Sequence, residues 1–240
     1  MLARRGGGAA RSLLAEFRAL PPGARVLVAL APIGGALLAG TGALGWGSGA
    51  PDGAPLADGA WLLAVCAYAC GSAWLSAADL RAHRLPNAVL GAAALGTALP
   101  LAAAWVLAGE PRRALVSIGI AACAGALAAA AWLLAAWFRA AWLPAAGPSP
   151  RRDRSAIGAG DVKLLPLAVL GATLSAPRDA IELFPALLAA ALLVVACAAA
   201  LRLTRHRAAA RPRAELALGP AILAASWLAP IAGTAMRAGA

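Results

Sequence analysis

Seven apolar runs divide this chain, at about 25–46, 60–78, 88–108, 114–138, 162–177, 183–201 and 216–235. Most reach the roughly 17–25 residues that a helix needs to cross a bilayer. The fifth is the weakest, being short and carrying Pro166. A membrane helix tolerates proline when its neighbours satisfy the freed carbonyl. The polar segments between runs are short, apart from 139–160, which holds Pro144, Gly147, Pro148, Pro150 and four arginines. That segment reads as a flexible connector; the sharper alternative is a mobile flap. The pattern predicts an all-α polytopic membrane protein with about seven transmembrane helices. A basic segment at 1–24 precedes a single membrane-embedded domain at 25–240, with no internal repeat and no soluble domain visible.

Composition agrees. The chain is 62% hydrophobic and only 13% charged, against roughly 25% charge in soluble domains, so lipid must solvate much of its apolar surface. A net charge of +11 in a soluble protein would suggest nucleic acid. Here the arginines fall in short segments between apolar runs, and nucleic acid is not an expected partner. With the N-terminus in the cytoplasm, seventeen of the 21 basic residues fall on the inside, and Arg112, Arg113, Arg178 and Arg237 fall outside. The positive-inside rule expects that asymmetry. Dropping the fifth run would move the basic loop at 202–213 outside, so the run is kept. That loop is expected near anionic headgroups. Arg4, Arg5, Arg11 and Arg18 precede a first run with no persuasive cleavage site, so a retained span is expected rather than a signal peptide. Cys66, Cys70, Cys123 and Cys197 lie within apolar runs without a second ligand pair. They are expected as small buried hydrophobes, with no metal site.

Two acidic residues stand out. Asp79 lies in Asp79-Leu80-Arg81-Ala82-His83-Arg84-Leu85-Pro86-Asn87, and Asp161 closes Gly158-Ala159-Gly160-Asp161 before Val162-Lys163-Leu164-Leu165. Both fall at the inner ends of their spans. An ionisable residue beside hydrocarbon is costly and marks a functional site by default. Asp52, Asp58 and Asp179 fall in outside segments, Asp153 sits among arginines, and Glu16, Glu110, Glu182 and Glu215 lie near span ends. Two neighbouring carboxylates that share a proton supply a general base and a general acid for water attack on a peptide carbonyl, without a metal. Gly158 and Gly160 would let the backbone turn sharply and approach a substrate closely. Pro86-Asn87 reads as the turn that opens the third span, with Asn as its cap.

The motif Asp-Leu-Arg-x-x-Arg-Leu-Pro-Asn at 79–87 resembles the first-aspartate motif of the type IV prepilin peptidases, and Gly-Ala-Gly-Asp-Val-Lys-Leu at 158–164 resembles their GxGD signature. Gly171 is similarly placed, and Leu218-Gly219-Pro220-Ala221 resembles the Gly-Pro segment that opens the last helix of the family. The likeness runs from about 60 to 235. It implies an inner-membrane aspartyl endopeptidase that cuts the basic leader from prepilins or pseudopilins at the cytoplasmic face. Asp79 and Asp161 would be the catalytic pair. Arg81 and Lys163 would support them, and Pro86, Asn87, Gly158, Gly160, Gly219 and Pro220 would complete the motifs. The implied partners are a pilin precursor and the lipid bilayer. Proteolysis of this kind needs no cofactor. Longer members carry Cys-x-x-Cys elements and many methylate the new N-terminus. This chain lacks those cysteines and resembles the short forms found with tight-adherence (Flp) pili. S-adenosylmethionine would be required only if methyl transfer occurs.

Two other readings compete. A small transporter could relay protons or bind a cation through the aspartates, which predicts carboxylates deep in a span and often repeated halves. A non-catalytic scaffold for pilus assembly would have no need of either aspartate. Proteases of the presenilin kind hold their first aspartate within a span beside Tyr, unlike the arginine-rich flank of Asp79.

Overall fold

Proline and its neighbours set where the apolar runs become helices. The computed structural model describes residues 3–44, 55–82, 85–142, 159–205 and 218–239, and among these all regular structure is helical. The helices are α1 (Ala3–Ala19), α2 (Pro22–Gly40), α3 (Pro55–Ala82), α4 (Asn87–Leu107), α5 (Pro111–Trp142), α6 (Ala159–Ala172), α7 (Pro177–Glu182), α8 (Phe184–Arg205) and α9 (Gly219–Ala238). Proline opens α2, α3, α5 and α7, and Pro220 lies in the first turn of α9. Its fixed φ suits a first turn, where its missing N–H leaves no bond unmade. Gly109, with φ 79°, closes α4, and the Glu110 N–H then returns to the Trp105 carbonyl at 2.8 Å. This is the left-handed glycine stop that lets α5 begin at once.

Among the described residues, five helices are long and apolar enough to cross a membrane: Pro22–Gly40, Pro55–Arg81, Asn87–Leu107, Pro111–Ala135 and Gly219–Ala238. Val162–Ala172 and Phe184–Val194 are shorter apolar helices. The chain therefore has the build of a multi-pass membrane protein. The fifth run ends earlier than its hydropathy suggests. The Thr173 hydroxyl bonds back to the Leu170 carbonyl at 2.7 Å, and Pro177 opens a new helix. Asp58, expected in a loop, lies instead in the first turn of α3, where the positive end of the helix dipole favours a carboxylate. Residues 3–24 of the basic segment are also helical for the most part. They form α1 and the start of α2, with the Phe17 ring edge-on to Trp74 at 5.4 Å and Leu20 buried.

Packing follows the rules of a lipid solvent. Large side chains face outward on α5, where Leu115 is 73% and Leu127 71% exposed. In water such a surface would aggregate; hydrocarbon covers it without penalty. Because lipid is as apolar as leucine, helices associate through close contact at small residues. At Gly71 an added Cβ would come within 2.5 Å of the Ala93 Cβ, which joins α3 to α4. At Gly125 it would meet the Pro166 ring at 2.6 Å, so the proline in α6 has a fitted seat on α5. The cysteines depart from expectation. Cys66 and Cys70 are half-buried, while Cys123 and Cys197 are exposed on helix surfaces, where a small apolar thiol is tolerated by lipid.

One side chain ties α3, α6 and α9 together. Tyr68 of α3 is fully buried, and its ring lies directly on the backbone of Gly171 in α6. Its hydroxyl makes a short hydrogen bond with Ser226 Oγ of α9, and its ring sits 5.0 Å from that of Trp227. Near the opposite end of α3 from Asp79, the Trp61 indole N–H donates to the Leu174 carbonyl at 2.8 Å. Gly171→Ala would drive a methyl into the tyrosine ring. We expect a loss of about 1–3 kcal/mol, read as a lower thermal midpoint in detergent; an unchanged midpoint would show that the three helices do not depend on this contact.

Candidate functional site

The register set by Tyr68 decides which residues meet at the far end of α3. Asp79 lies eleven residues beyond Tyr68 on α3, Asp161 ten residues before Gly171 on α6, and Gly219 seven before Ser226 on α9. At 1.5 Å per residue these are displacements of about 16, 15 and 10 Å. They run in one direction, because α3 is antiparallel to α6 and α9, as the Trp61–Leu174 and Asp79–Gly219 contacts require. The backbone carrying Asp161 thus reaches the level of Asp79 at the same end of the bundle.

Asp79 is 5% exposed, in the last turn of α3. Its Oδ2 accepts the Gly219 N–H at 3.0 Å. The first N–H groups of a helix have no partner within it, and Leu218, the residue preceding α9, provides no side-chain cap. Asp79 supplies the cap from another helix, at the positive end of the α9 dipole. A Cβ at Gly219 would stand 2.7 Å from Asp79 Oδ2, so only glycine lets the carboxylate come this close. Pro220 follows with no N–H to satisfy. The Gly-Pro pair is therefore the shape of a carboxylate seat.

Asn87 corrects an expectation. It is the first residue of α4, the N-cap is Pro86 in extended conformation, and no side chain caps this helix. The Asn87 Oδ1 instead accepts a hydrogen bond from Lys163 Nζ at 3.2 Å. That bond joins the two aspartate motifs across 76 residues of chain. Both groups are exposed, so its worth is registration more than stability. Arg81 is exposed in the last turn of α3. Gly160 and Asp161 form the first turn of α6, so Gly160 is helical and does not make the expected sharp turn. Gly158 lies outside the described residues, as do 143–158 of the long connector and 206–217 of the basic loop.

The sequence reading missed Tyr68 and Ser226. A lone tyrosine in an apolar span was a signal that could have been followed, since it is the only one in the chain and a buried hydroxyl needs a partner. Among the described residues no three His, Cys, Asp or Glu side chains gather to hold a metal ion. Comparison with known proteins found no matching family model, no matching curated protein and no matching solved structure.

Asn87→Cys with Lys163→Cys, in a background without the four native cysteines, should form a disulfide or a short-linker crosslink in membranes. Absence of any adduct in folded protein would separate the two motifs. Gly219→Ala should displace Asp79 and destabilise the protein by about 1–3 kcal/mol, whereas alanine at Gly91, which meets nothing within 4 Å, should not.

Proposed function

We propose that this chain is a membrane aspartyl endopeptidase that removes the basic leader of type IV prepilins or pseudopilins at the cytoplasmic face of the bacterial inner membrane. One observation carries the reading. A buried carboxylate, Asp79, is fixed by a backbone N–H at the end of the bundle where the first turn of α6 brings the backbone of Asp161. A carboxylate withdrawn from water and oriented by a fixed donor is costly to maintain and suits proton transfer better than simple anchoring.

In this mechanism one aspartate, ionised, takes a proton from water as that water attacks the scissile carbonyl. The other, protonated, gives its proton to the carbonyl oxygen; as the C–N bond of the resulting gem-diol breaks, the proton taken first passes to the leaving amine and a gem-diol hydroxyl returns its proton to the second aspartate. The pair ends the cycle with one proton between them. Asp79 and Asp161 fill these roles. Lys163 and Asn87 hold the two motifs in register. The site falls at the rim of the bundle, which suits a substrate whose leader is in water and whose following segment is apolar. The arginine-rich segments beside Asp79 and Asp161 orient this rim toward the cytoplasm. No cofactor takes part, and methyl transfer is not included.

A proton or cation relay is disfavoured by the position of Asp79, near the end of a 28-residue helix. Transporter sites of that kind lie near the bilayer midplane.

The test uses purified protein in detergent and a precursor with a basic leader. Wild type should yield a shorter product. Asp79→Asn and Asp161→Asn should each lower turnover on the order of 10³-fold or more. In Asp79→Asn the side-chain amide oxygen can still accept the Gly219 N–H, so folding should persist. Full turnover in either variant would rule out the pair.

A further inference from the structure

Helix α1 ends where the first membrane span begins. Leu20 and Pro21 join it to α2, and Pro21 is extended, with φ −63° and ψ 154°. The Arg25 guanidinium of α2 reaches back over this corner. Its Nε donates to the Leu20 carbonyl at 2.8 Å and its Nη2 donates to the Arg18 carbonyl, so a cation closes the negative end of α1. Leu20 is buried, Leu13 packs against the core, and the Phe17 ring meets Trp74. Trp74 lies five residues before Asp79 on α3, about 7.5 Å along the axis. The second half of α1 is therefore fastened to the bundle near the Asp79 end, at the mouth of a span.

The other side of α1 is basic. Arg11 and Arg18 are seven residues apart, which is two helical turns to within about 20°, and both are exposed. Among the described residues neither has an ion-pair partner. Position 4, also an arginine, keeps the same seven-residue register on α1. Glu16, the one acidic residue of α1, lies about 140° around the helix from Arg11 and about 160° from Arg18, away from this stripe. Leu14 lies within about 60° of both arginines and is 54% exposed. The surface is thus basic along its middle and apolar along one edge. A soluble polyanion satisfies only the arginines. The boundary between lipid headgroups and acyl chains satisfies both parts.

We propose that α1 is an interfacial helix that binds anionic phospholipid headgroups through Arg11 and Arg18, with Arg4 in the same register. The multi-pass build puts lipid beside it, and an arginine near such a surface favours anionic over neutral lipid about fivefold. The inference does not depend on the proteolytic reading. It does bear on the candidate site, because a headgroup anchor at α1 holds the Asp79 end of α3 at a fixed depth through Phe17 and Trp74.

The test uses full-length protein with Ala15→Cys, in a background without the four native cysteines, carrying a fluorophore at that cysteine. Position 15 is exposed and lies between Arg11 and Arg18 on their face of the helix. Phosphatidylcholine vesicles receive increasing fractions of a spin-labelled quencher, carried on phosphatidylglycerol in one series and on phosphatidylcholine in the other. At low salt the phosphatidylglycerol series should reach half-quenching at a mole fraction about fivefold lower. In the triple variant Arg4→Gln, Arg11→Gln, Arg18→Gln the two curves should coincide. Salt at about 0.5 M should also merge the curves of the unsubstituted stripe, a measurement that needs no change to the helix. The same fluorophore at Leu127→Cys, on the outer face of α5, should show no preference. Coincident curves with the stripe intact, a preference unchanged by the triple variant, or an equal preference at position 127 would overturn the proposal. Loss of the preference on adding an equimolar RNA oligonucleotide would assign the stripe to nucleic acid and overturn it as well.

Discussion

A tyrosine ring pressed on a glycine backbone sets the geometry of this bundle. Tyr68 has no room to move: Gly171 lies beneath its ring, Ser226 holds its hydroxyl, and Trp227 closes its flank. In a lipid solvent the hydrophobic effect does not drive one apolar helix against another. Packing and buried hydrogen bonds must fix which faces meet. A bulky side chain in a fitted slot does this well, because a slip of one residue on any of the three helices would turn its ring into the side chain of a neighbour. The register so fixed is what brings residues 79, 161 and 219 to one end.

The site then solves a problem of backbone chemistry. Helix α9 begins inside the protein with an N–H that needs an acceptor, and a carboxylate at the end of α3 needs a donor away from water. Asp79 and Gly219 answer each other at 3.0 Å. Proline at the next position removes a second orphan donor, and the missing Cβ of glycine makes the approach possible. A fixed carboxylate at the rim is the arrangement from which the proposed function follows.

Several features were legible along the chain. Apolar runs gave helices because length and hydropathy are local quantities. The aspartates stood out because charge beside hydrocarbon is rare. Gly219 and Pro220 were visible as a motif, though their physical purpose was not. Asn87 could be read as a cap or as a motif residue. Its identity and its place before a helix fitted the first role, but its partner, Lys163, is 76 residues away. The end of α6 was misjudged for a similar reason. Hydropathy continues past Ala172, while the stop comes from the back-bonding of Thr173 and from Pro177.

The sequence by itself determined what each segment is: helical, apolar, broken at proline and glycine, and bearing two carboxylates at span ends. These are consequences of side-chain volume, backbone freedom and solvation, which each residue carries wherever it lies. Only the tertiary structure decided which faces touch. It chose Gly219 as the partner of Asp79 and Gly171 as the seat of Tyr68. The physical reason is that contacts between helices depend on rotation and register. Those are set by the fit of whole surfaces, and no single segment contains that information.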